Sequence, residues 1–245
     1  MEKVRVDPSV IKGIIFDFNG TMFQDSDLHE AAWIKMIKHY AQGNISEKEI
    51  LKNIHGRTND EIIRTFIAND LSVEEVIALG TEKESYYRRL CVQNKQRLVL
   101  TSGLTEILNK IQKMKIPMTI ATATTKENVD FYFAQFQLDQ WFHYSQVIYD
   151  DGTFPGKPAP DIFIKAADAL GVPLESCMVF EDSYSGIIAA SRAGIGALVA
   201  IDTEGKHQKV FSDLLLPITA TISDFWSVKV VSPTFERREN KQLLN

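Results

Sequence analysis

Residues 11–21 read Ile11-Lys12-Gly13-Ile14-Ile15-Phe16-Asp17-Phe18-Asn19-Gly20-Thr21, and the rest of the chain is organised around them. Ile14-Ile15-Phe16 is a short unbroken apolar run. Parallel strands covered on both faces read this way, because they lose the polar alternation of a half-exposed strand. The run ends at Asp17, and Asn19-Gly20-Thr21 turns the backbone. A carboxylate at the carboxyl end of an α/β strand, followed by a glycine turn, stands where open sheets collect ligands. The plainer alternative is an aspartate closing a strand ahead of a capped turn, and three later segments weigh against it.

The flanking sequence sets the class. The 245 residues make one large or two modest domains, with 44% apolar and 24% charged residues, an ordinary globular composition. A net charge of −5 argues against nucleic acid as the main partner, since a phosphate backbone demands basic surface. No run approaches the ~20 apolar residues that span a bilayer, so no membrane partner is expected. MEKVRVDPSV has neither a long apolar core nor a small-residue cleavage site, so no signal peptide is expected. Cys91 and Cys177 form no CxxC pair, which suits a reduced, cytoplasmic chain.

After Thr21 the pattern turns helical for about seventy residues. Asp25-Ser26-Asp27 offers N-cap side chains to a helix with Trp33, Ile37, Tyr40 and Ala41 on one face. Ser46 with Glu49 fits a capping box. Ile62, Ile63, Phe66 and Ile67 mark a third helix, Val73, Val76 and Ile77 a fourth, and Tyr87, Leu90, Cys91 and Asn94 a longer fifth. From Gly103 onward strands and helices alternate. Strands are expected at Met118–Ala121, Val147-Ile148, Met178–Phe180, Ala197–Ala200 and Ala220–Ile222, and helices at 104–111, 129–136, 161–170 and 187–193. The polar tail from Ser232 has no core role in this reading. The fold class is α/β: a Rossmann-like parallel sheet, residues 1–24 and 98–245, interrupted by an all-helical domain, residues 25–97.

Three expected strands end in chemistry-bearing residues: Asp17, Thr122 and Glu181-Asp182. Parallel strands point their carboxyl ends the same way, so these groups should share one crevice. Lys157 lies in a proline-restricted loop, Pro155-Gly156-Lys157-Pro158-Ala159-Pro160. Converging carboxylates repel one another unless a cation joins them, and hard oxygen ligands suit Mg²⁺ beside a phosphate. One carboxylate is then free to attack phosphorus. Lys157, Thr122 and backbone N–H groups of the turn would hold the phosphoryl oxygens.

These motifs resemble the haloacid dehalogenase superfamily of phosphotransferases and, within it, the β-phosphoglucomutase-like subgroup with a helical cap. DFNGT is similar to the family's first motif, usually DxDGT; Thr122 in ATAT to the second; Lys157 in GKPAPDIF to the third; Glu181-Asp182 in FEDSYSGIIAASRAGI to the fourth. The resemblance implies Asp17 as nucleophile and Asn19, Lys157 and Thr122 as further catalytic residues. It implies metal ligation by Asp17, Glu181, Asp182 and the Asn19 carbonyl. Gly20, Thr21, His29, Arg57, Ala123, Thr124 and Lys126 would contact substrate, with Gly56-Arg57-Thr58-Asn59 as the cap's substrate-facing loop. The ligand would be a small phosphorylated metabolite, a sugar phosphate being one class, and the protein a monomer or weak dimer. The reading expects Trp33 to be packing and Asp150-Asp151 to be solvated loop charge.

One departure bears on mechanism. The family's second aspartate, which protonates the leaving group and later activates water, is Asn19 here. An amide keeps the turn but shuttles no proton. The expectation is a phosphatase of restricted activity, with His29, which occupies a position where mutase-like relatives carry a histidine, as candidate replacement. The alternatives are a phosphomutase and a catalytically impaired binder of phosphorylated ligands. Against the mutase stand Asn19 and Asn59, where mutase-like relatives often carry arginine. Asn19-Gly20 is also a sequence prone to deamidation, which would regenerate the aspartate.

Overall fold

The computed structural model describes residues 4–54, 57–205, 211 and 216–231. Five parallel strands form the main sheet in the order β3-β2-β4-β5-β6: β2 Gly13–Phe16, β3 Met118–Ile120, β4 Cys177–Glu181, β5 Ala197–Ile201 and β6 Ala220–Ile222. β2 lies between β3 and β4, with Ile15 opposite Thr119 on one side and Val179 on the other. All four of its residues are buried, as its unbroken apolar run requires.

The two faces of β2 feed different cores. Ile14 and Phe16 join Phe180, Val199 and the apolar stripes of α5 (Leu104–Lys113) and α6 (Lys126–Phe136). Phe16 and Phe180 stack with centroids 5.1 Å apart, a contact worth roughly 0.5–1.5 kcal/mol beyond the area it buries. Ile15 joins Val179 and Leu198 under α7 (Asp161–Leu170) and α8 (Tyr184–Ala193). Among the described residues of 26–93 there are four helices and no strand: α1 Ser26–Tyr40, α2 Glu47–Ile54, α3 Asn59–Phe66 and α4 Val73–Gln93. Trp33, Ile37, Ile50, Ile63 and Val76 form a separate apolar cluster among them. Trp33 is buried there, as packing predicts.

Several expectations need correction. The fourth and fifth helices are one, α4, which runs straight through Gly80-Thr81; a capping box of Ser72 and Glu75 opens it. Tyr40 is exposed, so the buried face of α1 is Leu28, Ala32, Trp33, Met36 and Ile37. Ser46 Oγ accepts from the Glu49 N–H (3.3 Å) to open α2. Val147-Ile148 gives only an isolated parallel bridge, Ala121 to Ile148. Val4–Val6 (β1) and Val228–Val230 (β7) pair as a two-stranded parallel sheet that the sequence reading did not anticipate. His55, Gly56, His207 and the tail from Ser232 lie outside the described residues.

Candidate active site

Asp17 follows β2 directly, and its N–H donates to the Phe180 carbonyl of β4 (2.9 Å), which fixes the start of its side chain. Glu181 ends β4 and Asp182 follows it. One oxygen from each of Asp17, Glu181 and Asp182 lies within 4.8 Å of the others. Lys157 joins them: its Nζ donates to Asp17 Oδ1 (2.6 Å) and to Glu181 Oε2 (2.7 Å). All three of these side chains are at most 8% exposed. Glu181 Oε1 also accepts from the backbone N–H groups of Asp182 and Ser183 and from the Ser183 hydroxyl.

Two glycines make room for this cluster. Gly20 has φ +78°, and a Cβ there would lie 2.0 Å from Asp182 Oδ2. Gly186 faces Glu181, and its Cβ would lie 2.1 Å from Oε2. Thr21 Oγ1 donates to Asp182 Oδ1 (3.1 Å). Gly20 and Thr21, expected against substrate, therefore pack against Asp182 and brace the acidic cluster.

The electrostatics follow from this crowding. Burial, then the neighbouring Glu181, pushes the Asp17 carboxyl up to about 7, against the pull of Lys157. Asp182 is raised well above the usual carboxylate range, first by burial and then by Glu181 and Asp17. Burial alone would lower Lys157, but Asp17 and Glu181 outweigh it and hold its ammonium charged. Two buried carboxylates sharing one ammonium, with half-buried Asp182 beside them, leave negative charge to be neutralised, and an all-oxygen donor set of this kind fits a hard divalent cation.

These groups open into a cleft of about 710 Å³ between the sheet and the helices of residues 26–93. Thr122, Ala123, Thr124 and Thr125 line it just before α6, so the positive end of that helix faces an incoming anion. His29 and Arg57 line it from the helical side. Lys126, also expected against substrate, pairs its ammonium with Asp130 (2.8 Å) and lies over the Tyr144 ring. Asp150 and Asp151 spend carboxylate oxygens on the N–H groups of Gly152 and Thr153, as expected of a loop.

Asn19 sits in a polar knot that sequence reasoning missed. Its Nδ2 donates to Asp25 Oδ2 (2.6 Å) and to the Tyr132 hydroxyl (2.7 Å), and Thr122 Oγ1 donates to its Oδ1 (3.3 Å). Asp25, expected as an N-cap, makes no side-chain cap; it is fully buried and accepts from the Gly20 N–H and the Tyr87 hydroxyl. His29 stacks on Tyr87, and Lys83 donates into its Nδ1 (2.9 Å). An ammonium only donates, so the ring hydrogen is on Nε2, 3.5 Å from Asp25 Oδ2. Lys83 also pairs with buried Glu84 (2.8 Å), which takes further hydrogen bonds from Asn59 and Asn128. The signal for Asp25 was an acid six residues beyond an unexpected amide.

The profile of the haloacid dehalogenase-like hydrolase family matches residues 14–200, from the first residues of β2 into β5. This chain belongs to that family. Among haloacid dehalogenase-like hydrolases of known structure, it is similar to a family IA, variant 3 hydrolase from Entamoeba histolytica. The two are 33% identical, with a TM-score of 0.81 over 89% of this chain and 96% of that one. It is 28% identical to the fructose-1-phosphate phosphatase of Escherichia coli over 76% of this chain and 94% of that one. It is 23% identical to the β-phosphoglucomutase of Mycobacterium tuberculosis over 81% and 84%. The haloacid dehalogenase-like fold thus accounts for the parallel sheet and for the acidic cluster at its carboxyl edge.

Proposed function

We propose that this hydrolase is a Mg²⁺-dependent phosphatase of small phosphorylated metabolites, working through an aspartyl phosphate on Asp17. The observation that carries the reading is the convergence of Asp17, Glu181 and Asp182 on one point beside Lys157. Asp17 attacks phosphorus and the ester oxygen leaves; water then cleaves the acyl phosphate, returning Asp17 and releasing phosphate. Lys157 and Thr122 hold phosphoryl oxygens, and the α6 N-terminus adds its dipole. Asp17, Glu181, Asp182 and the Asn19 carbonyl would hold Mg²⁺, which supplies positive charge against the phosphoryl group. The helices of residues 25–97 act as the cap that encloses the leaving group, with Arg57 as its anion contact.

Asn19 cannot move a proton, which removes a term worth ~10²–10⁴-fold. His29 is the titratable group beside Asn19 with a face open to the cleft, and it takes whatever proton transfer the site retains. Sugar phosphates are the first substrates to test, because the similar phosphatase acts on fructose 1-phosphate. A phosphomutase needs the acid–base group twice per cycle, and Asn59 spends its amide on Glu84, so that reading ranks second. No described helix is long and apolar enough to cross a membrane. The buried free thiols Cys91 and Cys177 suit a reducing cytoplasm.

The test compares p-nitrophenyl phosphate with a panel of sugar phosphates, with Mg²⁺ and with EDTA. Nitrophenolate leaves without a proton, so the aryl ester should show a rapid burst near one equivalent and then slow, Mg²⁺-dependent turnover. Sugar phosphates should be slower, and Asp17→Ala should abolish both. Release that survives Asp17→Ala, or no release from any ester, overturns the reading.

A further inference from the structure

The hydrogen atoms around Asn19 can be counted. Asp25 Oδ2 takes hydrogens from Asn19 Nδ2 and from the Tyr87 hydroxyl, and its Oδ1 takes the Gly20 N–H. The Tyr132 hydroxyl accepts from the same Asn19 Nδ2 and lies 3.1 Å from the Tyr87 hydroxyl. Tyr87 has given its one hydrogen to Asp25, so Tyr132 must donate to Tyr87. The ring Asn19 to Tyr132 to Tyr87 to Asp25 and back to Asn19 needs four hydrogens, and with one from each tyrosine an amide at position 19 or at position 25 must supply the other two. Asn19 does. A protonated aspartate supplies one and an ionised aspartate none.

The amide cannot be reversed. Turning it over would set its carbonyl oxygen 2.6 Å from the Asp25 carboxylate and would aim an N–H at Thr122 in place of the oxygen that now accepts from it. Asp25, Tyr87 and Tyr132 are all buried, so water does not make up a missing hydrogen bond cheaply. His29 Nε2–H adds a further donor facing Asp25 and offers position 19 no acceptor.

We propose that Asp25 is a positioning residue that dictates the side chain at position 19. Its buried carboxylate demands an N–H donor there and holds the Asn19 oxygen toward Thr122. The missing acid–base carboxylate is therefore built into the surrounding structure, and a single reversal does not restore it. Asn19→Asp sets two carboxylates against each other and leaves the ring two hydrogens short, whereas the exchange Asn19→Asp with Asp25→Asn supplies them from position 25 and closes the ring in the reverse direction. The turnover consequence rests on the phosphatase reading above; the hydrogen-bond requirement does not.

The test is a four-protein cycle of wild type, Asn19→Asp, Asp25→Asn and the double exchange. Each is measured for thermal midpoint and for turnover of p-nitrophenyl phosphate with Mg²⁺. Both single variants should melt below wild type, and the exchange should recover most of the loss, which is the mark of direct coupling. Asn19→Asp alone should turn over no faster than wild type, and the exchange at least about tenfold faster than that single variant. Recovery through the exchange also separates this role from mere packing. An Asn19→Asp protein as stable and as active as the exchange overturns the proposal, as does an exchange that melts or misfolds like the sum of its parts. If none of the four proteins releases phosphate while the melting cycle still couples, the phosphatase reading fails and the requirement stands.

Discussion

Lys157 Nζ lies 2.6 Å from Asp17 Oδ1, and the same ammonium reaches Glu181 at 2.7 Å. One cation therefore serves two buried anions. Removing one partner of a buried pair leaves the other uncompensated, which typically costs 3–5 kcal/mol. Lys157→Ala should lose roughly that much in urea denaturation without metal, and should recover part of it when Mg²⁺ is added. Phosphate release should fall at least about a hundredfold, since the phosphoryl clamp goes with it.

Asp17 sets the pH dependence of the metal-free protein. Burial and then Glu181 raise it to about 7 from 3.8, so the folded state binds a proton that the unfolded state has released. Stability of the metal-free protein should therefore fall as pH rises from about 4 to 7. Asp17→Asn should flatten that fall, and Mg²⁺ should raise the thermal midpoint more at pH 8 than at pH 5. Calorimetric scans across this range, with Mg²⁺ or EDTA, check both.

Glu84 runs the other way. Burial alone would raise it, but the Lys83 ammonium, joined by the Asn59 amide, brings it down to about 2 from 4.5. Its contribution is present in full above about pH 4.5 and is lost as pH falls through about 2, and its size is roughly 3 kcal/mol. Wild type and Glu84→Gln should therefore differ in stability at pH 6 and converge toward pH 2 in acid denaturation.

Gly186→Ala tests the packing behind Glu181. Inside an exposed helix this change gains about 1 kcal/mol. Here the new methyl would meet the Glu181 carboxylate at 2.1 Å, so the sign should invert. The variant should melt lower than wild type and bind Mg²⁺ more weakly by titration calorimetry.

Much of the fold was legible because local chemistry and burial agree. Ile14-Ile15-Phe16 is apolar throughout because both faces of β2 are covered, and Gly171 and Gly194 stop α7 and α8 where their left-handed caps require. The acidic cluster was legible because each member stands at a strand end. Asp25 was not, because a carboxylate opening a helix reads as a cap, and the cap bond is missing only in three dimensions. Tyr87 and Tyr132 hid in the apolar stripes of their helices: a periodic pattern reports the ring and is silent on the hydroxyl. The Lys126–Asp130 pair was not legible either, since adjacency to Thr122 says nothing of the helical turn that carries the side chain toward Asp130. β1 and β7 did not register because Arg5 and Lys229 interrupt their three-residue apolar runs.

The placement of β2 has a bearing on how the chain is made. It ends at Phe16, while the strands that flank it begin at Met118 and Cys177. A nascent polypeptide emerging from the ribosome exposes this strand with both edges bare until β3 has been translated and with one edge bare until β4 has. The four helices form their own cluster meanwhile, so synthesis delivers a folded helical segment tethered to a waiting, adhesive strand. Chaperone demand should then peak before residue 177 leaves the exit tunnel and subside once β4 docks.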